Sequence, residues 1–151
     1  MFRRLRVAFL FLGLAGPALA CNFDDAVATE VVAATNAYRA DQGRRALTID
    51  AALTRAARAH ACELVETSRF SHDGANGSGV GDRVSASGYG WRFVAENIAL
   101  GQRGAQAVVS GWIGSRGHRR NLLSRDATQI GVASVPTSRG PMWVMVLAAP
   151  R

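Results

Sequence analysis

Three side chains of this sequence have the types and setting of a reactive centre: His72, Glu96 and His118. They sit in Ser71-His72-Asp73-Gly74, in Ala95-Glu96-Asn97-Ile98 and in Ser115-Arg116-Gly117-His118-Arg119-Arg120-Asn121. Two imidazoles and a carboxylate from separate segments suit zinc, which takes three protein ligands and keeps an open fourth position. The same groups suit proton transfer. His72 lies in a polar stretch where a histidine has no packing duty, and an idle surface histidine is its plain alternative. Glu96 is followed by Ile98, Ala99 and Leu100. An unpaired carboxylate is costly to bury, so Glu96 calls for a metal, a cation or hydrogen-bond donors. A structural pair with one of the many arginines meets that need equally. Gly117 permits close approach at His118, whose plain alternative is a surface residue entering a helix; Asn121 can support His118 or cap a turn. Ser115 beside His118 offers a metal-free nucleophile, but no orienting acid or oxyanion motif accompanies it. His60 differs: it falls on the apolar stripe of a helix and reads as a satisfied core histidine.

Other catalytic signatures are missing from the sequence. There is no Gly-x-Ser-x-Gly elbow, His-Glu-x-x-His, Walker loop or Cys-x-x-Cys. Gly77, Gly79 and Gly81 do not follow a strand, so a phosphate-cradling loop is not supported. Asn76-Gly77-Ser78 matches a glycosylation acceptor, a triplet common by chance. Trp91, Trp112 and Trp143 are most simply packing residues.

The elements that must position these groups follow from periodicity and punctuation. Val27, Val31, Ala34 and Tyr38 recur at helical spacing, predicting a helix over 24–42 closed by Gly43. Asp50 is an N-cap for a second helix over 51–67, with Leu53, Ala57, His60 and Leu64 on one stripe. Residues 68–90, rich in Gly, Ser, Asn and Asp, predict a long loop with one helical turn near 82–87. A short strand over 94–100, a helix over 105–112 and a turn entering a helical turn over 117–123 come next. A hairpin of strands 130–135 and 142–148 closes the chain. The run 142–147 scarcely alternates, so it should be covered on both faces. That requires helices above and below the sheet.

The ends and composition bound the class. Residues 1–20 read as a secretory leader: Arg3, Arg4 and Arg6, a short apolar run, then Ala18-Leu19-Ala20. Residues 21–151 would then form a single domain, secreted or periplasmic, with no transmembrane segment and expected as a monomer. Cys21 and Cys62 are the only cysteines, and an even count in a secreted chain predicts a disulfide. Lipidation of Cys21 is the minority alternative, because the residues before it are in the wrong order for a lipoprotein signal. All eighteen basic residues are arginines. Three lie in the leader, leaving fifteen against eleven acidic residues, a net charge of +4. Scattered as they are, they do not outline a nucleic-acid groove.

Taken in order, these segments resemble the CAP superfamily (cysteine-rich secretory proteins, antigen 5 and pathogenesis-related 1), in its bacterial SCP-domain branch. The resemblance is carried by Asn36-Ala37-Tyr38-Arg39, Leu47 and Leu53 around Asp50, His72, Asp82-Arg83, Gly88-Tyr89 and Glu96-Asn97-Ile98. It continues through Trp112, Ser115, Gly117-His118-Arg119, Asn121-Leu122-Leu123, Ile130-Gly131-Val132 and the Trp143 strand, spanning roughly 30–148. The resemblance implies an α+β fold, a three-layer α-β-α sandwich with a mostly antiparallel sheet. It implies a cleft lined by two histidines and two acids, which map here to His72, His118 and Glu96. The second acid departs: Ser115 stands in its place. Asp73 or Asp82 could substitute, though nothing in the spacing demands it. The family's eukaryotic cysteine framework is absent. The expectation is an extracellular module binding a divalent metal such as zinc, a small ligand or a lipid. A metal-dependent extracellular hydrolase is the alternative, and an envelope protein with a vestigial cleft a third.

Overall fold

The computed structural model describes residues 21–151, and the expected leader lies outside the described residues. The elements run α1 (Asp25–Asp41), β1 (Thr48–Ile49), α2 (Ala51–Glu66), α3 (Val80–Ala86), β2 (Trp91–Leu100), α4 (Ala105–Gly114), α5 (Arg116–Leu122), β3 (Gln129–Val135) and β4 (Met142–Pro150). The side chain of Asp24 accepts from the Val27 N–H, and that of Asp50 from the Ala52 and Leu53 N–H groups, satisfying orphan donors at the starts of α1 and α2. Past the end of α1, Gly43 takes a positive φ of 63°, where a side chain would be strained.

The sheet order is β1-β3-β4-β2. β1 runs parallel to β3, and the other two pairings are antiparallel. β4 is buried on both faces from Met142 to Ala149. Its alternate residues Trp143, Met145 and Leu147 join a core with α1, α4 and α5. Met142, Val144, Val146 and Ala148 join a second core with α2 and α3. This is the α+β, three-layer α-β-α sandwich, and the lack of alternation in β4 follows from it: both faces of the strand meet helices.

Two differences from the sequence reading are instructive. β1 is only two residues long, too short to leave a periodic signal. β2 begins at Trp91 rather than at 94, since its first residues are shifted in register and half exposed.

Local contacts explain several motif residues. Asn36 clamps the strand entry, its Nδ2 donating to the Leu47 carbonyl at 3.0 Å and its Oδ1 accepting from the Leu47 N–H at 2.8 Å. Arg39 donates Nε to the Arg45 carbonyl and Nη1 to the Leu122 and Ser124 carbonyls, fastening α1 to the end of α5. Gly81 makes room for Trp91, since a Cβ there would lie 2.6 Å from the indole. Cys21 and Cys62 are joined in a disulfide that ties the first described residue to α2. The bridge uses the sulfur that lipidation of Cys21 would need.

Gly131 is the tightest point of the sheet–helix packing. A Cβ at this position would fall 2.2 Å from the Leu53 carbonyl carbon and 2.3 Å from the Thr54 nitrogen. Those are backbone atoms, which cannot rotate away. Gly131→Ala should therefore push α2 off the sheet and lower stability by about 3 kcal/mol, the upper part of the overpacking range. Urea unfolding checks this; an unchanged midpoint would mean that α2 sits farther from β3 than described.

Candidate functional site

Adjacent residues of β2 point to opposite faces of the sheet, and this alternation distributes the site. Glu96 faces the α2–α3 side and Asn97 the α4–α5 side, opposite Val146 and Met145 respectively. The Glu96 side chain is only 2% exposed. Its Oε2 accepts from Arg83 Nη2 at 2.8 Å, and its Oε1 lies 2.8 Å from His72 Nδ1. The buried carboxylate thus has its cation, Arg83 from α3, together with an imidazole.

Arg83 does more than neutralise Glu96. Its Nη1 donates to the Ser78 carbonyl and its Nη2 also to the His72 carbonyl. One guanidinium therefore holds both the carboxylate and the backbone of the loop that carries His72. Glu63 of α2 helps by accepting from the Ala75 N–H at 2.8 Å. Burial pushes the Glu63 carboxyl up, but that hydrogen bond and His60 outweigh it and hold the group below its ordinary value.

His60 is buried, as its place on the apolar stripe predicts. Its Nε2 lies 3.0 Å from the Ser71 carbonyl, which can only accept, so Nε2 carries a proton. Its Nδ1 lies 3.3 Å from Glu63 Oε2, and Nε2 is also 3.8 Å from Glu96 Oε1. The residue set aside as core packing anchors the backbone next to His72. Its neighbours on the stripe are apolar and gave no sign of that.

On the other face, Asn97 Nδ2 donates to the His118 carbonyl, and Asn121 Nδ2 donates to Asn97 Oδ1 and to the Glu96 carbonyl. Asn121 supports the His118 backbone through Asn97. His118 and Ser115 line a hollow of about 520 Å³ with Trp112, Ile98, Leu100 and Phe70. Phe70 is an exposed large apolar residue at its edge. Ser115 separates α4 from α5, and its side chain makes no capping hydrogen bond.

The structure brings His72 and Glu96 into direct contact and leaves His118 further off. Among the described residues, the one set of three His, Cys, Asp or Glu ligand atoms lying within 4.8 Å of one another is Cys21, Cys62 and Glu66, whose sulfurs are spent in the disulfide. His118 is near enough for charge to be felt: burial first, and then the His72 charge, lower its pKa below the ordinary histidine value. His72 moves the other way. The hydrogen bond to Glu96 raises its pKa, against an opposing effect of burial. Asp73 only adds to the field at His72, and Asp82 accepts from the Gly79 N–H in the first turn of α3.

Comparison with known proteins places this geometry in context. Residues 32–147 match the CAP family, described as the cysteine-rich secretory protein family. The chain is 36% identical over 114 residues to the uncharacterized protein YkwD of Bacillus subtilis strain 168, an alignment covering 76% of this chain and 44% of YkwD. It therefore spans less than half the length of that relative. An extracellular protein containing an SCP domain from Bacillus anthracis superposes with a TM-score of 0.76 at 25% identity, over 83% of this chain and 41% of that one. An outer surface protein from Borrelia burgdorferi shares the fold, with a TM-score of 0.79 at 20% identity over 87% of this chain and 99% of that one.

The raised pKa of His72 has a definite sign in stability. Its folded value lies above the unfolded value of about 6.5, so the protonated pair with Glu96 stabilises the fold below that pH and fades as the pH climbs through the folded value. NMR titration should place the His72 midpoint above 6.5 in the wild type and lower in Glu96→Gln. Coincident midpoints would show that the carboxylate does not act on the ring.

Proposed function

The chain belongs to the cysteine-rich secretory protein (CAP) family, and from that premise we propose that it is an extracellular module whose cleft binds a divalent metal ion at His72 and His118. The carrying observation is the 2.8 Å contact between His72 Nδ1 and the buried Glu96 carboxylate. A ring held through Nδ1 presents Nε2 outward, and a carboxylate behind a histidine is the usual support for a metal-ligating imidazole. Glu96 itself is spent on Arg83 and His72, so it serves as an orienting group rather than as a third ligand. Two imidazoles from separate segments, one half-exposed and one beside an open hollow, are donors that zinc accepts.

When bound, the metal would act as a Lewis acid toward an oxygen of water or ligand. The chain's own residues do the rest. Glu96 fixes the His72 tautomer, Arg83 pairs with the other oxygen of Glu96, and Asn97 with Asn121 sets the backbone of His118. The hollow beside His118, walled by Trp112, Ile98, Leu100 and Phe70, suits the apolar part of a small ligand or lipid. An extracellular setting accords with the disulfide, and no helix among the described residues is long and apolar enough to cross a membrane.

A metal-dependent hydrolase is the second reading. It is favoured by the same His72–Glu96 pair, which is also how a general base is oriented. A panel of ester, peptide and glycoside substrates decides it: zinc-dependent turnover that disappears in His72→Ala would promote this reading over pure binding.

Calorimetric titration with zinc tests the metal site. The wild type should bind one ion, the His72→Ala/His118→Ala double variant should lose that site, and Glu96→Gln should bind about 10–100-fold more weakly. Because a proton competes for Nε2 of a histidine with a raised pKa, affinity should grow as the pH rises above about 6.5. Equal affinity in wild type and double variant would remove the site.

A further inference from the structure

A second hollow, of about 640 Å³, opens where the end of α1, strand β1 and the turn after α5 meet. Arg39, Arg44, Arg45 and Arg125 line it, with Thr48 and Thr128 among the remaining wall residues. None of His72, Glu96, Ser115 or His118 belongs to its wall, and neither does any Asp or Glu. The sequence neighbours Asp41 and Asp126 stand outside it. The ion pairs among the described residues are Arg58–Asp25, His60 with Glu63 and Glu96, His72–Glu96 and Arg83–Glu96, and they include none of these four arginines.

The hydrogen bonds made by these guanidinium groups all go to neutral carbonyls. Arg39 uses Nε and Nη1 on Arg45, Leu122 and Ser124, and Arg44 uses Nε on Leu123. Carbonyl dipoles solvate a cation without cancelling its charge. Arg39 is 1% exposed. Burial and then the charge of Arg44 pull its pKa down, the mark of a cation lacking a counter-ion. Arg45 and Arg125 are exposed, and their side chains make no hydrogen bond to the protein among the described residues.

We propose that this hollow is a binding site for a phosphate-bearing anion. Four like charges around a concave wall focus a positive potential, and an anion carrying two or more charges relieves their repulsion. The planar fork of a guanidinium matches the spacing of phosphate oxygens, and the Thr128 hydroxyl adds a neutral donor, while that of Thr48 donates to the Thr128 carbonyl. The volume exceeds that of a lone phosphate and accommodates a diphosphate or a phosphorylated head group. Arg39 and Arg44 have structural duties at the end of α5, so Arg45 and Arg125 are the residues that report on the ligand alone.

Isothermal titration of inorganic pyrophosphate into the full chain, in EDTA so that no metal-bound phosphate contributes, should show one saturable site. Arg45→Glu/Arg125→Glu should weaken it by about tenfold or more while leaving the thermal melt and zinc binding unchanged. His72→Ala/His118→Ala should keep it, which separates this site from the metal cleft. Phosphatidylcholine vesicles with and without phosphatidic acid distinguish the source: co-sedimentation that needs phosphatidic acid and is reversed by pyrophosphate assigns a lipid head group. Pyrophosphate binding without co-sedimentation assigns a free phosphate compound. Absence of saturable heat in the wild type, or equal affinity in the charge-reversed variant, overturns the proposal.

Discussion

The arrangement of the cleft hangs on a carboxylate that has been taken out of water. Glu96 is nearly inaccessible, and a lone charge in that position would cost several kcal/mol. Arg83 supplies the opposite charge and, with the same guanidinium, holds the carbonyls of Ser78 and His72. Three elements are thereby locked by one ion pair: β2 through Glu96, α3 through Arg83, and the loop through His72. Removing either partner of such a pair typically costs about 3–5 kcal/mol, because the survivor stays buried and uncompensated. A ring held by so constrained a carboxylate has little freedom, which is what a ligand-binding imidazole needs.

The edge position of β2 completes the cleft. An edge strand presents unpaired backbone groups, and here two of its carbonyls are covered by side chains. Asn121 Nδ2 donates to Glu96, and Trp112 Nε1 to Ile98 at 3.2 Å. These bonds seat α4 and α5 against the strand. They also explain why Glu96 and Asn97 are neighbours: one steers His72 from one face of the sheet and the other holds His118 from the opposite face. A single-residue step in a strand thus serves two arms of a cleft, with a hollow between β2 and α4.

Much of this was legible from residue type and spacing, for reasons that are physical. Asp50 and Gly43 mark helix ends by backbone chemistry, and the uninterrupted apolar run of β4 could only lie between two helical layers. The need of Glu96 for a partner followed from burial alone. Which arginine would meet it did not, because the loop that brings α3 and its Arg83 beside β2 follows a path no periodicity encodes. His60 was legible as buried but not as the anchor of the Ser71 carbonyl, since an apolar stripe says nothing about what lies across from it. Ser115, His118 and Asn121 form one continuous segment in the sequence. Only the fold separates a serine at a helix junction, an imidazole beside a hollow and an amide bonded to β2. β1 escaped notice because two residues carry no pattern.

Buried Glu96 fixes the His72 ring with Nδ1 inward and Nε2 free. Long-range nitrogen–proton NMR of the imidazoles at a pH where His72 is neutral tests it most directly. His72 is expected as a single Nδ1–H tautomer, with an unprotonated Nε2 whose resonance shifts when zinc is added. A His72 ring found as the Nε2–H tautomer, or averaging between the two forms as a free side chain does, would contradict it.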